Sequence, residues 1–484
     1  MRAYISEQDP SLYTPIDHAG WRFILKISRA HFARHAHRIY LDGLEKTGIS
    51  LEHIPLIEEM DQKLQRFGWR AVPVCGFIPP LVFMEFLSRG ILPIACDMRA
   101  IEHLSYTPAP DIVHESAGHA PIIADPDYAR YLREYGEISR KAIHSREDWN
   151  LYLAIRDLSD IKEDPGTTPG RIKDSQARLD AAVARIGYVS EAAQLSRMLW
   201  WTAEYGLIGD LENPKIYGAG LLSSLSESYD CLGKNVKKIP LSISCVETGY
   251  DITRPQPQLF VARDFGQLIA VLRELAETMA FRIGGLEGLR RAKKAGTVTT
   301  AVLDSGLQIS GVIESFAAED KTVSAIRFSG PMQLARDDRE IEFRPMGGAF
   351  PLPPGAAVVS VFGGAADRDR YFTRTETDST PLGKPKTNLT PANRRLNELY
   401  AKVREFRAEK TSKSLIEAAL SEIHRELERD YPEDWLLRYE LLELCYVHGL
   451  DVPWQKTVFM QLERISGTHS PKADIIRRGL ELLS

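Results

Sequence analysis

The 484-residue chain has no apolar run of about 18 or more residues, so no membrane-spanning helix is expected. Its N-terminus, Met-Arg-Ala-Tyr-Ile-Ser-Glu, lacks the apolar core of a secretory signal. Cysteine is scarce: Cys75, Cys96, Cys231, Cys245 and Cys445 are scattered, odd in number and form no CxxC pair. That excludes a disulfide scaffold and predicts free thiols in a reducing cytoplasm. An excess of one charge is also absent. The formal net charge of -5 excludes a polyelectrolyte, so neither nucleic acid nor a membrane surface is expected as partner. No internal repeat is evident.

What remains is ordinary globular composition, 44% hydrophobic and 26% charged, on a chain long enough for about two to four domains. Residues 16–68 read mainly as helix, with a stop at Gly48. WRAVPVCGFIPP, residues 69–80, reads as a strand or extended loop beneath a pocket, and a helix follows over 81–88. Residues 130–190 are charged and broken by the turn-rich EDPGTTPG at 163–170. An apolar helix is predicted over 191–207. Composition changes near residue 295. Residues 297–328 are β-branched with turn signals, hence hairpins, and short strands continue to Phe362. The polar, proline-rich stretch 373–392 reads as a linker, and a helical period returns from Asn393 to the end.

The chemistry concentrates in His114-Glu115-Ser116-Ala117-Gly118-His119. On an α-helix at 100° per residue, two histidines five apart sit about 140° apart around the axis. A zinc-protease motif spaces them by four, so that reading fails unless the helix ends or distorts, which Gly118 permits. Asp111 is a candidate N-cap for this helix, and Pro121 limits it soon after His119. Two histidines and one carboxylate make the facial site of non-haem Fe(II). Glu204, alone among apolar and aromatic neighbours in LWWTAEYGL, is the candidate third ligand, since an unpartnered carboxylate is costly to bury there. By itself the histidine spacing is a weak metal signal, and Glu204 reads equally as a satisfied core polar group. HFARHAHR, with His31, His35 and His37, reads as a solvated helix face. IYGAGLLSS lacks the second half of a dinucleotide-binding loop.

SYTPAPDIVHESAGHAPIIADPDYA resembles the iron-binding segment of the pterin-dependent aromatic amino acid hydroxylases. LWWTAEYGLI resembles their third-ligand helix, IYGAGLLSSLSE their substrate loop, and DHAGWRFIL and GWRAVPVCGFIP their N-terminal and pterin segments. The matches run in family order over about residues 12 to 290. The resemblance implies Fe(II) held by His114, His119 and Glu204. It implies a tetrahydropterin (tetrahydrobiopterin or a relative) stacked on Phe83 and hydrogen-bonded by the backbone of Gly76, Phe77 and Ile78. Glu115 would lie close to the pterin and iron. Arg99 would clamp the amino acid carboxylate, supported by Asp111. Thr107, Gly220 and Ser223 match substrate-loop positions, and Trp200 and Tyr205 the aromatics beside the substrate ring. Trp200 resembles the phenylalanine-hydroxylase choice, and Ile252 stands where tyrosine hydroxylases resemble one another in an acidic residue.

The expected activity is therefore that of a monooxygenase converting phenylalanine to tyrosine with O2. Alternatives are tryptophan or another ring position, a zinc metallohydrolase on the same histidines, and a non-catalytic binding protein. The expected fold is a mainly α catalytic domain with small β elements over 1–295, carrying a helical insert at about 143–188. A β-rich module (296–372), the linker (373–392) and a helical module (393–484) follow. Ser116 and Ala117 depart from the family's bulkier residues. The tail does not resemble the family's tetramerisation helix, and self-association or a protein partner is expected through these modules.

Overall fold

The structure is a computed structural model. It describes residues 4–483 except Phe77, 106–109, 163–166, Thr253, Lys321, 376–386 and 409–410. The chain is mainly helical with three small sheets.

Helix α1 (Pro15–His35) begins with Pro15 in the first turn and a reciprocal cap between Thr14 and Asp17. It is buried nearly all round, including Trp21, Phe23, Ile24 and Leu25. Strand β1 (Arg70–Val74), helix α2 (Pro80–Ser88) and strand β2 (Ile91–Ala95) follow. β1 and β2 pair in parallel, with Val74 opposite Ala95. The chain therefore leaves both strands at the same end of this pair, at Cys75 after β1 and Cys96 after β2. Segments leaving the carboxyl ends of parallel strands are where α/β folds place ligands.

Helix α3 (Pro126–Ser139) leads to a hairpin of α4 (Arg146–Lys162) and α5 (Pro169–Ala184), within the stretch 143–188 read as helical from the sequence. Its base is closed by Asp148, whose Oδ2 accepts from Ser145 N–H and from Ser190 Oγ–H, each at 2.6 Å. Helix α6 (Glu191–Leu199) returns to the core. Strands β3 (Leu207–Ile208), β4 (Lys215–Ile216), β5 (Lys237–Pro240) and β6 (Gln258–Ala262) form a sheet in the order β4-β3-β6-β5. Between β4 and β5 lies the short helix α7 (Ala219–Leu222).

The β-rich module is an antiparallel sheet of β7 (Val298–Leu303), β8 (Gln308–Glu319), β9 (Thr322–Arg336), β10 (Arg339–Arg344), β11 (Gly348–Pro351) and β12 (Val358–Gly363). Helix α8 (Gly285–Ala295) packs into it: Leu289, Ala292 and Ala295 share one core with Ile309, Ile326, Phe328 and Val361. The boundary expected at residue 295 thus falls at the end of a helix that belongs, by packing, to this sheet.

Helices α9 (Arg394–Ala408), α10 (Lys413–Asp430), α11 (Trp435–His448), α12 (Gln455–Ser466) and α13 (Pro471–Leu483) form the C-terminal block. It shares one hydrophobic core with the catalytic region. Phe23 meets Trp435 and Tyr439 edge-on at 5.1 and 4.8 Å. Arg22 forks onto Glu440 at 2.7 and 3.2 Å, both side chains fully enclosed. This contact explains why α1 is apolar on more than one face. The solvated face expected for HFARHAHR is corrected in part: His31 stacks on Tyr229 at 3.7 Å, with Arg478 of α13 3.7 Å from the same ring. Burial pushes the His31 imidazole down to about 4. All five cysteines are buried and unpaired. Among the described residues, no helix is long and apolar enough to cross a membrane.

Candidate metal centre and substrate pocket

The segment holding both histidines, Val113–His119, is a π-helix. Its i→i+5 hydrogen bonding, seen where Ala120 N–H reaches Glu115 O, brings residues five apart onto one face. The distortion that the spacing demanded is therefore a wider turn, and the two imidazoles lie 4.9 Å apart between centroids. Asp111 caps the start, accepting His114 N–H at 3.0 Å. Ser116 contributes locally: its hydroxyl donates to the Ile112 carbonyl one turn back, a bond that bends helices. Gly118 serves packing more than conformational freedom. A Cβ there would stand 2.8 Å from the Ala219 carbonyl of α7. The helix runs on past Pro121 and ends at Ile123.

Glu204 arrives on a second π-helix, Trp200–Glu204, closed by Tyr205 N–H on Trp200 O at 2.8 Å. Its Oε2 is 3.3 Å from His114 Nε2 and its Oε1 3.1 Å from His119 Nε2. Glu115 adds a fourth group: His114, Glu115 and His119 hold ligand atoms within 4.8 Å of one another. His119 Nε2 and Glu115 Oε2 are buried and make no hydrogen bond of good geometry. Burial raises the Glu204 carboxyl, but the nearby His119 and His114 charges outweigh it and hold it well below the usual carboxylate range. For Glu115 burial wins over the lowering influence of His119, with Glu204 and Asp111 adding to the rise, and the carboxyl is pushed up to about 8.

Ser223 orients the His114 ring. Its hydroxyl donates to Ala219 O at 2.8 Å and so accepts from His114 Nδ1–H at 3.0 Å, which turns Nε2 toward Glu204. Two imidazole nitrogens and a carboxylate, one imidazole oriented by a second partner, fit a divalent transition metal.

Beside this centre Arg99 makes a two-pronged contact with Asp111, Nε to Oδ2 at 2.7 Å and Nη2 to Oδ1 at 2.8 Å. Its Nη1 donates to the Ser223 carbonyl at 2.9 Å. Burial would raise the Asp111 carboxyl, but the Arg99 charge and hydrogen bonds from Arg99 and His114 hold it below its ordinary value.

Residues 6–148 and 177–324 match the sequence profile of the biopterin-dependent aromatic amino acid hydroxylases. The chain belongs to this family. The match is interrupted between residues 148 and 177, across most of α4 and the start of α5. It extends into β9, beyond the end expected near residue 295. The chain is similar to the phenylalanine-4-hydroxylase of Ralstonia nicotianae, 30% identical over 273 residues, covering 56% of this chain and 73% of that one. It is also similar to that of Mesorhizobium japonicum, 28% identical over 260 residues, covering 53% of this chain and 78% of the other. A crystal structure of the Chromobacterium violaceum phenylalanine hydroxylase with iron(III) and 7,8-dihydrobiopterin is 26% identical, covers 57% of this chain and 88% of that chain, and aligns with a TM-score of 0.43. Membership in a hydroxylase family leaves the zinc-hydrolase and non-catalytic readings without support.

One extended cavity runs from the histidines to the α4–α5 hairpin and the β-rich module. Gly76, Ile78, Phe83, Arg99, Trp200, Tyr205, Gly220, Ser223 and Ile252 line it together with the histidines, Glu115 and Glu204. Gly76 has a left-handed φ of 68°, which the turn after β1 requires. Phe77 and Thr107 lie outside the described residues. Gly220 lets its loop pack against Tyr205, because a Cβ there would be 2.7 Å from the Tyr205 ring. Trp200 is sandwiched, with Tyr205 at 4.4 Å on one face and Tyr250 at 4.3 Å on the other. Tyr250 escaped the sequence reading although it stands two residues before Ile252. So did Glu227, which accepts from Tyr205 O–H at 3.1 Å.

Proposed function

We propose that the protein hydroxylates the ring of free phenylalanine to give tyrosine, using Fe(II), O2 and a tetrahydropterin. The observation that carries this reading is the meeting of His114, His119 and Glu204 beside the Arg99–Asp111 fork within the family-matched region. The similar curated proteins bear the name phenylalanine-4-hydroxylase.

In this reading His114, His119 and Glu204 hold the iron. Phe83 would supply an aromatic face for the pterin, and the backbone of Gly76, Phe77 and Ile78 would hydrogen-bond its edge. The chemistry that iron and reduced pterin supply when bound is activation of O2. Everything else is the work of side chains. Arg99 binds the substrate carboxylate with the N–H groups Asp111 and Ser223 leave free. Asp111 keeps that guanidinium fixed, Gly220 and Ser223 lie in the loop beneath the substrate, and Thr107 would contact it. Trp200, with both faces covered by tyrosines, offers its edge, and Tyr205 continues the wall that excludes water. Glu115, buried beside His119, would lie close to the iron and the pterin. The Ile252 side chain offers no hydrogen bond to a phenolic hydroxyl, which favours an unhydroxylated ring; tryptophan is the second candidate.

A reducing cytoplasm is the compartment this reading expects, in keeping with five unpaired cysteines. Self-association through the C-terminal helices would use Leu415, Val447 and Met460, exposed at 62%, 66% and 50%; sedimentation of the purified protein tests it. The substrate is tested by a panel of aromatic amino acids with tetrahydropterin, reading products by mass and ring position. Tyrosine from phenylalanine as the fastest product is expected. Faster hydroxylation of tryptophan would overturn the assignment.

A further inference from the structure

We propose that Asn388, on the segment entering the C-terminal helices, is a positioning residue for the substrate-carboxylate clamp. The proposal rests on the reading of Arg99 as that clamp. Asn388 lies beyond the residues that match the family.

Its side-chain nitrogen donates twice, to Asp17 Oδ1 at 2.6 Å and to the Met98 carbonyl at 3.3 Å. The Met98 carbonyl and the Arg99 N–H belong to one peptide group. That N–H donates to Asp111 Oδ2 at 3.1 Å. The peptide plane is therefore held at both edges, by Asn388 at its oxygen and by Asp111 at its N–H. A peptide group is rigid, so holding both edges fixes the plane from which the Arg99 side chain departs. Asp111 alone would leave that plane free to tilt about its N–H contact.

The anchor on the far side is itself fixed. Asp17 is buried in the α1 cap, where its Oδ2 accepts from Thr14 N–H and Oγ1–H at 2.8 and 2.9 Å, leaving Oδ1 for Asn388. Asn388 is also held by its own backbone, since Asn393 Nδ2 donates to its carbonyl at 2.8 Å. Asn397 of α9 accepts Ile16 N–H at 3.2 Å, which ties the same segment to α1. Asn388 lines the cavity that Arg99 lines. The C-terminal block thereby acts on substrate binding through one amide.

The test compares Asn388→Ala, the isosteric Asn388→Asp and Arg99→Ala in the full-length chain. Iron content, kcat and the KM values for phenylalanine and tetrahydropterin are measured, together with binding of phenethylamine, which lacks the carboxylate. Losing one such hydrogen bond predicts a rise of about three- to tenfold in the phenylalanine KM for Asn388→Ala. A larger rise is expected for Asn388→Asp, which sets a carboxylate against Asp17. Pterin KM, iron content and phenethylamine binding stay unchanged. An unchanged phenylalanine KM in both Asn388 variants, with a raised one in Arg99→Ala, overturns the proposal. So does a rise in both KM values with loss of iron or of folded protein in both variants, since that marks a general structural role. If Arg99→Ala itself leaves the phenylalanine KM unchanged, the clamp reading fails and the proposal falls with it.

Discussion

Ser223 touches the metal centre and the carboxylate clamp at once: its hydroxyl accepts from His114 Nδ1 at 3.0 Å, and its carbonyl accepts from Arg99 Nη1 at 2.9 Å. Only the first contact uses the side chain. Ser223→Ala should therefore weaken iron binding about 10- to 100-fold, the usual cost of losing a partner that orients a metal ligand. Phenylalanine affinity in the iron-saturated variant should hardly move. Iron titration checks this, and an unchanged affinity would mean that His114 is oriented by something else.

Glu204→Ala removes the only carboxylate that approaches both histidine Nε2 atoms within 3.3 Å among the described residues. Loss of stoichiometric iron and of turnover is expected. Glu115→Gln should instead retain iron, because Glu115 Oε2 stands 4.0 Å from His119 Nε2, farther than either Glu204 oxygen stands from its histidine. Metal analysis of the two purified variants separates them.

Arg99→Ala takes away charge-assisted hydrogen bonds and should raise the phenylalanine KM about 10- to 100-fold, with a much smaller effect on kcat. It also leaves Asp111 buried without its partner, which costs about 3–5 kcal/mol of stability. Steady-state kinetics with a parallel unfolding curve reads both effects.

Gly118→Ala drives a methyl toward the Ala219 carbonyl at 2.8 Å. The two π-helices are linked through α7, so separating them should cost about 1–3 kcal/mol and lower iron affinity together. A variant as stable as the parent, with the same iron affinity, would show that α7 yields freely.

The C-terminal block should loosen in acid. Burial raises the Glu443 carboxyl, but Arg407 and Lys26 outweigh it and hold its folded value below the ordinary 4.5. A group depressed in this way contributes stability above its unfolded value and loses it as pH falls through the folded one. The stability difference between the parent and Glu443→Gln should thus be constant near neutrality and shrink below about pH 4.5. Denaturant curves across that range measure it.

Local chemistry was legible in the sequence where it depended on neighbours in the chain. The histidine pair, the Asp111 cap and the hairpins after residue 296 all follow from residue pattern. The π-turn was visible only as a conflict, because five-residue spacing disagreed with an α-helix and nothing local names the wider turn that resolves it. Long-range packing was not legible. The apolar faces of α1 and α11 are plain in the sequence, but periodicity does not say that Phe23 and Tyr439 cover each other. For the same reason Asn388 read as part of a polar linker, and Tyr250 as an unremarked loop residue.

The account's central claim is iron- and pterin-dependent ring hydroxylation of phenylalanine. The most direct measurement supplies metal-free protein with phenylalanine and 18O-labelled O2, adding Fe(II) and tetrahydropterin separately and together, and reads tyrosine by mass. The account predicts labelled tyrosine only when both are present. Tyrosine formed without either one, or carrying oxygen from water, would contradict it.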